Sequence, residues 1–204
     1  MESGQMRSEV QPSSSPLISP SYRQMQADLH STGSYGVAGG MFAPMVNKLI
    51  QDFQVTHLLD YGCGSRLSLY KGLKAPHKLT YQAYDPGVER FSAPPVPAQM
   101  VCCIDVLEHI EPEFVDNVLD DLHRLTEALL FCTICTVPAL KTLPDGRNAH
   151  VTVRPIGWWM AKLFDRFDVQ TMTRVHNDQL EQDVGFMVIA YANSNIVLAN
   201  GDKA

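Results

Sequence analysis

HLLDYGCGSRLSL, residues 57–69, is the stretch that decides how this chain is read. An apolar run ends in Asp60, then Gly62 and Gly64 flank a single residue, and Leu67 stands where a dinucleotide fingerprint would carry a third small residue. The run has the length of a buried strand, and SRLSLYKGL behind it begins a helix. Gly62 and Gly64 lack a Cβ, so the backbone can turn sharply and approach a ligand closely. Asp60 discriminates between ligands. A carboxylate beside the turn repels a pyrophosphate and attracts a ligand that carries an ammonium and a sulfonium.

Outward from this turn, strands and helices alternate. LTYQAYD is a second strand, ending in Asp85, 23 residues after Gly62, where a carboxylate can accept both hydroxyls of a ribose. QMVCCID is a third strand, and a helix is predicted over 112–128, with Pro112 in its first turn and Phe114, Val118 and Leu122 on one face. LLFCTICTV is a buried strand, IGWWMAKLFDRF a helix, and DVQTMTRVH and VGFMVIAYA are the last two strands. The short NDQLEQD between them has no room for a helical crossover, so this pair is an antiparallel hairpin. The alternation predicts an α/β fold with a mostly parallel sheet covered on both faces. Upstream, Met41, Met45, Leu49 and Phe53 recur at helical spacing. Residues 1–24, rich in Ser, Pro and Gln, read as a disordered tail, 25–195 as the domain, and 196–204 as a flexible C-terminal tail.

Composition narrows the function. The 204 residues carry a net charge of −6 and no Lys/Arg run, which removes electrostatic support for binding nucleic acid or anionic membranes. No apolar stretch reaches the length of a spanning helix. Five cysteines do not resemble a disulfide framework, and the CTIC pair, with no second ligand pair, does not make a zinc site. A cytoplasmic location is the expectation.

Ligands of open α/β sheets bind outside the carboxyl ends of the strands, so the candidate residues are those that follow each strand. They are Asp60, Gly62, Cys63 and Gly64; Asp85; Asp105, Val106, Glu108 and His109; and the loop with Asp145, Arg147, Asn148 and His150. A carboxylate, a glycine turn and a ribose acid together suit a cationic nucleoside such as S-adenosylmethionine. At this point the chain resembles the class I S-adenosylmethionine-dependent methyltransferases, over roughly residues 30–192. LLDYGCG resembles their first motif, YQAYDP their second, and MVCCIDVLEHIEPE the region after their fourth strand, in the manner of the small-molecule branch. The resemblance implies a Rossmann-like seven-stranded sheet with a reversed last hairpin. It also implies that Asp60 and the Gly62–Cys63–Gly64 turn hold the methionine part of the cofactor, that Asp85 binds the ribose, and that Asp105 and Val106 line the pocket.

The chain departs from that pattern in two places. Only 14 residues separate Asp85 from Met100, and Pro94, Pro95 and Pro97 lie among them, so the third-strand edge is reduced. Ser65 replaces a third glycine and is compatible with a helix N-cap. The Asn/Asp-Pro-Pro-aromatic motif of amino-group methylation is replaced by IDVL, which points to transfer to oxygen of a small molecule or glycan. His150, in the loop facing the acceptor, is the candidate general base. Tyr35, Arg147 and Trp158 are candidate acceptor contacts. Glu108 and His109 could ligate a metal, but two adjacent residues do not complete a site, and no metal is assigned. A regulatory module that binds the cofactor without catalysis, and an NAD-dependent oxidoreductase, which Asp60 and Leu67 disfavour, are the competing readings.

Overall fold

The computed structural model describes residues 15–31, 38–74 and 76–192. Its elements in chain order are α1 (Pro20–Ser31), α2 (Gly39–Asp52), β1 (His57–Tyr61), α3 (Ser68–Gly72), β2 (Thr80–Tyr84), β3 (Ala98–Ile104), α4 (Val115–Leu125), β4 (Thr126–Cys135), α5 (Ile156–Phe164), β5 (Phe167–Asn177) and β6 (Gln182–Ala192). Among the described residues the sheet has six strands in the order β2-β1-β3-β4-β6-β5. The first four are parallel, and β6 runs antiparallel to both β4 and β5.

The period-2 alternation of strand side chains divides the core into two layers. Leu59, Tyr61, Val101 and Cys103 face α4 and α5, whose Val118, Leu119, Leu122, Trp159 and Leu163 complete one layer. Leu58, Met100, Cys102 and Phe131 point the other way, toward Val46 and Leu49 of α2 and Leu69 of α3. Strands apolar on both faces must be covered on both faces, which is why VCCI and LLFCTIC sit at the sheet centre.

The sheet has six strands where the family resemblance implied seven, and the missing one is the edge beyond β2. The proline run Pro94–Pro97 lacks the amide donors that a strand ladder needs. Instead the Gln82 carboxamide clasps Val96, donating to its carbonyl (3.0 Å) and accepting from its N–H (3.2 Å).

Two local expectations are corrected. Residues 15–24 do not behave as a tail. Ile18, Tyr22, Met25 and Leu29 form an apolar stripe that the Ser/Pro-rich average hides, and it packs on Leu143, Ala149 and Val151, while Leu17 packs against the main core. Ser19 fastens this segment by donating from both N–H and Oγ to the Glu111 carboxylate, at 2.9 and 2.8 Å. The helix predicted over 112–128 is a short 3-10 turn followed by α4, which stops at Leu125. Thr126 donates to the Leu122 carbonyl at 2.8 Å and opens β4 directly. In α2 the buried stripe is Ala43, Val46 and Leu49, while Met41 and Phe53 are exposed. Residues 1–14, Tyr35 and the tail 196–204 lie outside the described residues.

Candidate active site

Chain order along the sheet reverses between β1 and β3, and at that point the carboxyl ends of the strands open onto a cavity of about 350 Å³. Such a volume falls within the roughly 300–1,000 Å³ typical of small-molecule sites. β1 delivers Asp60 and the Gly62–Gly64 turn, β2 delivers Asp85, and β3 delivers Asp105 and Val106 to its wall. Helix α1 supplies Tyr22, Gln26 and His30, and the loop after β4 supplies Lys141 and His150.

The glycine turn is built by its contacts with β2 and β3. Gly62 lies at φ +80°, and a Cβ there would stand 2.3 Å from Val106 Cγ2, so only glycine fits. The N–H groups of Gly62 and Cys63 both donate to the Tyr84 carbonyl, at 2.7 and 3.1 Å. The N–H of Gly64 donates to Asp85 Oδ2 at 2.9 Å. All three amides of the turn are therefore spent inside the protein, and none is left to cradle a phosphate. Ser65 does not cap the following helix; its hydroxyl donates to the His30 carbonyl at 3.3 Å, and Leu67 stands at the helix N-cap.

Asp60 is buried and accepts a hydrogen bond from the Tyr81 hydroxyl. Burial, with some repulsion from Asp85, raises its carboxyl to about 7. Asp85 accepts from Gly64 and Gly87, the latter at 2.9 Å on Oδ1, and lies 3.6 Å from His30 Nε2. Burial dominates both members of this pair, raising the carboxyl and lowering the imidazole toward their neutral forms. Asp105, at φ +51°, is locked by Thr133, whose hydroxyl donates to Oδ1 at 2.6 Å and accepts from the Asp105 N–H at 2.9 Å. Among the described residues, three carboxylates and one lysine line the cavity, with no arginine, so its field favours cations. On the α1 wall, Tyr22 Oη and Gln26 Nε2 are buried and, beyond each other, have no hydrogen-bond partner among the described residues.

The opposite end of the cavity is assembled by stapling two loops. Thr152 donates from its N–H to the Glu108 carbonyl (3.0 Å) and from its hydroxyl to the Ile110 carbonyl (2.6 Å). His109 Nδ1 lies 2.8 Å from the Ala149 carbonyl and His150 Nδ1 lies 2.6 Å from that of Val137. A carbonyl only accepts, so both imidazoles donate from Nδ1 and carry their lone pair on Nε2. The two rings meet edge to face at 4.7 Å. Burial, together with His150, pushes His109 down to about 4. Asn148 holds the loop, donating to the Ala139 carbonyl (2.8 Å) and accepting from the N–H groups of Ala139 and His150, each at 2.9 Å.

Of the sequence candidates, Asp60, Gly62, Cys63, Gly64, Asp85, Asp105, Val106 and His150 come together on this one cavity. Arg147 and Trp158 do not line it. Arg147 pairs with Asp145 at 2.7 Å and stacks over Tyr22, while Trp158 packs edge to face on Trp159 under Arg154 and Lys162. The α1 residues Tyr22, Gln26 and His30 were missed; the helical spacing of Tyr22, Gln26 and His30 was the available signal.

No family model and no curated protein matches the sequence. Solved structures do match. A 1,6-didemethyltoxoflavin-N1-methyltransferase of Burkholderia thailandensis, with 1,6-didemethyltoxoflavin and S-adenosylhomocysteine bound, is similar at a TM-score of 0.58 and 16% identity, over 90% of this chain and 94% of its own. The magnesium protoporphyrin IX methyltransferase of Synechocystis PCC 6803, with S-adenosylmethionine bound, is similar at 0.53 and 15% identity, over 76% of this chain and 80% of its own. The chain thus has the Rossmann-like fold of class I S-adenosylmethionine-dependent methyltransferases, with one edge strand fewer than the seven the resemblance implied.

Proposed function

We propose that the chain is an S-adenosylmethionine-dependent methyltransferase that transfers a methyl group to an oxygen of a small molecule or glycan. The observation that carries this reading is the convergence of Asp60, the Gly62–Gly64 turn and Asp85 on one buried cavity whose charge is net acidic. The solved neighbours, crystallised with the cofactor or its demethylated product, support the same ligand. When bound, the cofactor supplies an electrophilic methyl group on a sulfonium, and transfer leaves a neutral thioether. Asp60 supplies the negative charge that holds the cationic methionine end against the turn. Asp85 takes the ribose hydroxyls on the accepting capacity left beside its two backbone donors. Cys63, Asp105 and Val106 line the pocket, and the buried polar atoms of Tyr22 and Gln26 give a polar ligand partners on the α1 wall. His150, whose Nε2 carries the lone pair, takes the proton of the acceptor hydroxyl.

The spent amides of the turn disfavour a dinucleotide, and α3, five residues long, adds no strong dipole to replace them. Calorimetry with S-adenosylmethionine and with S-adenosylhomocysteine tests the base of the proposal. Micromolar binding is expected, weakened at least about tenfold in Asp85→Ala by the loss of a charged hydrogen-bond acceptor. Absence of binding at high micromolar concentration refutes the cofactor, and NAD binding in its place would favour the oxidoreductase. Radiolabelled cofactor with cell extract then reports whether label enters small molecules, glycans, protein or nucleic acid. Binding without transfer to any fraction would favour a non-catalytic module.

A further inference from the structure

The acceptor end of the cavity holds a grouping that the sequence separates by 41 residues. Glu108, His109 and His150 each bring one potential ligand atom within 4.8 Å of the others. We propose that these three residues bind a divalent first-row transition-metal ion at the acceptor end of the cavity.

Four observations carry this site. Glu108 is fully buried, and while its Oε1 accepts the Cys135 N–H at 2.9 Å, its Oε2 has no hydrogen-bond partner among the described residues. An unpaired carboxylate oxygen at that depth is costly unless something positive meets it. Both histidines donate Nδ1–H to a backbone carbonyl, the arrangement that fixes ring and tautomer in metal-ligating histidines and leaves Nε2 as the ligand atom. The Cys135 N–H does the same for the carboxylate. The donor set, two imidazoles and one carboxylate, is that of a facial triad with open positions, suited to Zn²⁺, Co²⁺, Mn²⁺ or Fe²⁺ and poorly suited to Mg²⁺ or Ca²⁺. His109 and His150 line the cavity, so the open positions face it.

Ligand atoms sharing one ion at 2.0–2.2 Å lie about 3 Å apart, so each side chain has to move inward by roughly 1 Å. The role of the ion, though not its binding, rests on the methyl-transfer reading. An ion at this point would engage the Nε2 lone pair of His150 and would lower the pKa of a hydroxyl bound to it, whose proton would then pass to solvent instead of to His150.

The test is direct binding to the full chain, first stripped with chelator. Co²⁺ is titrated by calorimetry and by its visible d–d absorption, and Zn²⁺ and Mg²⁺ by calorimetry. One equivalent of Co²⁺ or Zn²⁺ at micromolar affinity is expected. Loss of one ligand in His150→Gln, His109→Gln or Glu108→Gln should weaken it at least about 100-fold. Circular dichroism separates loss of binding from loss of fold, and His150→Gln, in a loop, is the variant least exposed to that confusion. His176, beside Asp178 and Asp183 on the surface, is the rival site. Binding that disappears in His176→Gln but survives in His150→Gln overturns the proposal. So does absence of stoichiometric binding at about 100 μM, or a response to Mg²⁺ alone. Cofactor binding, measured separately in chelator, keeps the two readings apart. Metal binding without cofactor binding defeats the methyltransferase reading alone. Transfer that persists in chelator but fails in His150→Gln returns His150 to the role of base and defeats the catalytic role of the ion, while its binding stands or falls on the titrations.

Discussion

Replacing Asp60 with Asn should make the protein more stable at pH 8 and unable to hold the cofactor. The carboxyl is 4% exposed, and burial raises it from 3.8 to about 7. Between those values the folded chain binds a proton that the unfolded chain has released, so the stability Asp60 contributes falls as pH rises through that window. Above about pH 7 the cost is complete. The gap of about three pH units, at about 1.4 kcal/mol each, sets an upper bound of about 4 kcal/mol. Asn keeps the shape, and its carbonyl still accepts the Tyr81 hydroxyl, but it has no charge to desolvate. For a chain of 204 residues this corresponds to at most roughly 8–16 °C in Tm at pH 8, shrinking toward zero near pH 4.

The assay is urea unfolding of both proteins at half-unit steps from pH 5 to 8.5. Buried acids that do not act on Asp60, such as Glu108, contribute equally in both proteins and cancel in the difference, which therefore reports Asp60 together with its repulsion from Asp85. Calorimetry gives the functional half. Cofactor affinity of the wild type should rise with pH, up to about tenfold per unit below pH 7, and level off above it, because the cation selects the ionised form. A stability difference independent of pH, or Asp60→Asn less stable than wild type at pH 8, would refute the argument that this carboxylate is held at a cost for the sake of a cation.

Other substitutions probe the remaining walls. Gly62→Ala forces a Cβ to within 2.3 Å of Val106 at positive φ, and chemical denaturation should register a loss of about 1–3 kcal/mol together with weaker cofactor binding. Gln26→Leu should leave the unfolding midpoint nearly unchanged and raise the cofactor Kd severalfold, since its amide has no structural partner besides Tyr22 to lose. Asn148→Ala removes three hydrogen bonds from the 139–150 loop, worth about 1.5–4.5 kcal/mol in sum, and should speed amide exchange there while lowering turnover more than cofactor affinity. Trp158→Ala should lower stability without altering the Kd of the cofactor, because the ring packs on Trp159 and not in the cavity.

The half of the cavity proposed for the cofactor was legible because its residues sit at fixed positions after strands whose apolar runs announce themselves. Asp60 and Gly62 follow from the end of β1, Asp85 from β2, and Asp105 from β3. The proline run between β2 and β3 likewise announced the missing edge. What was illegible depends on partners distant in sequence. Nothing near Arg147 says that the Tyr22 ring, 125 residues earlier, will help its neighbour Asp145 hold it away from the cavity. Tyr22 itself belongs to a segment whose average composition is that of a tail, while its spaced apolar residues make a helix. The boundary at Thr126 escaped because no Gly or Pro separates helix from strand, and Leu122 and Leu125 lead through Thr126 and Glu127 into LLFCTIC without a turn signal.

The two ends of the cavity differ in how they are specified, and the difference bears on which function each can vary. At the cofactor end, strand register fixes the residues: Asp60 pairs across β2 with Ala83 and across β3 with Cys102, so its position follows from the sheet. Moving it means moving the core. At the acceptor end, Glu108, buried in the 3-10 turn after β3, is tied to the end of β4 by the Cys135 N–H, but His109 and His150 are placed by hydrogen bonds between loops that Thr152 and Asn148 organise. Loops tolerate replacement where strands do not. The same framework can therefore keep one cofactor while the 139–150 loop changes the acceptor. A graft of this loop should change which acceptor takes label and leave the affinity for the cofactor intact.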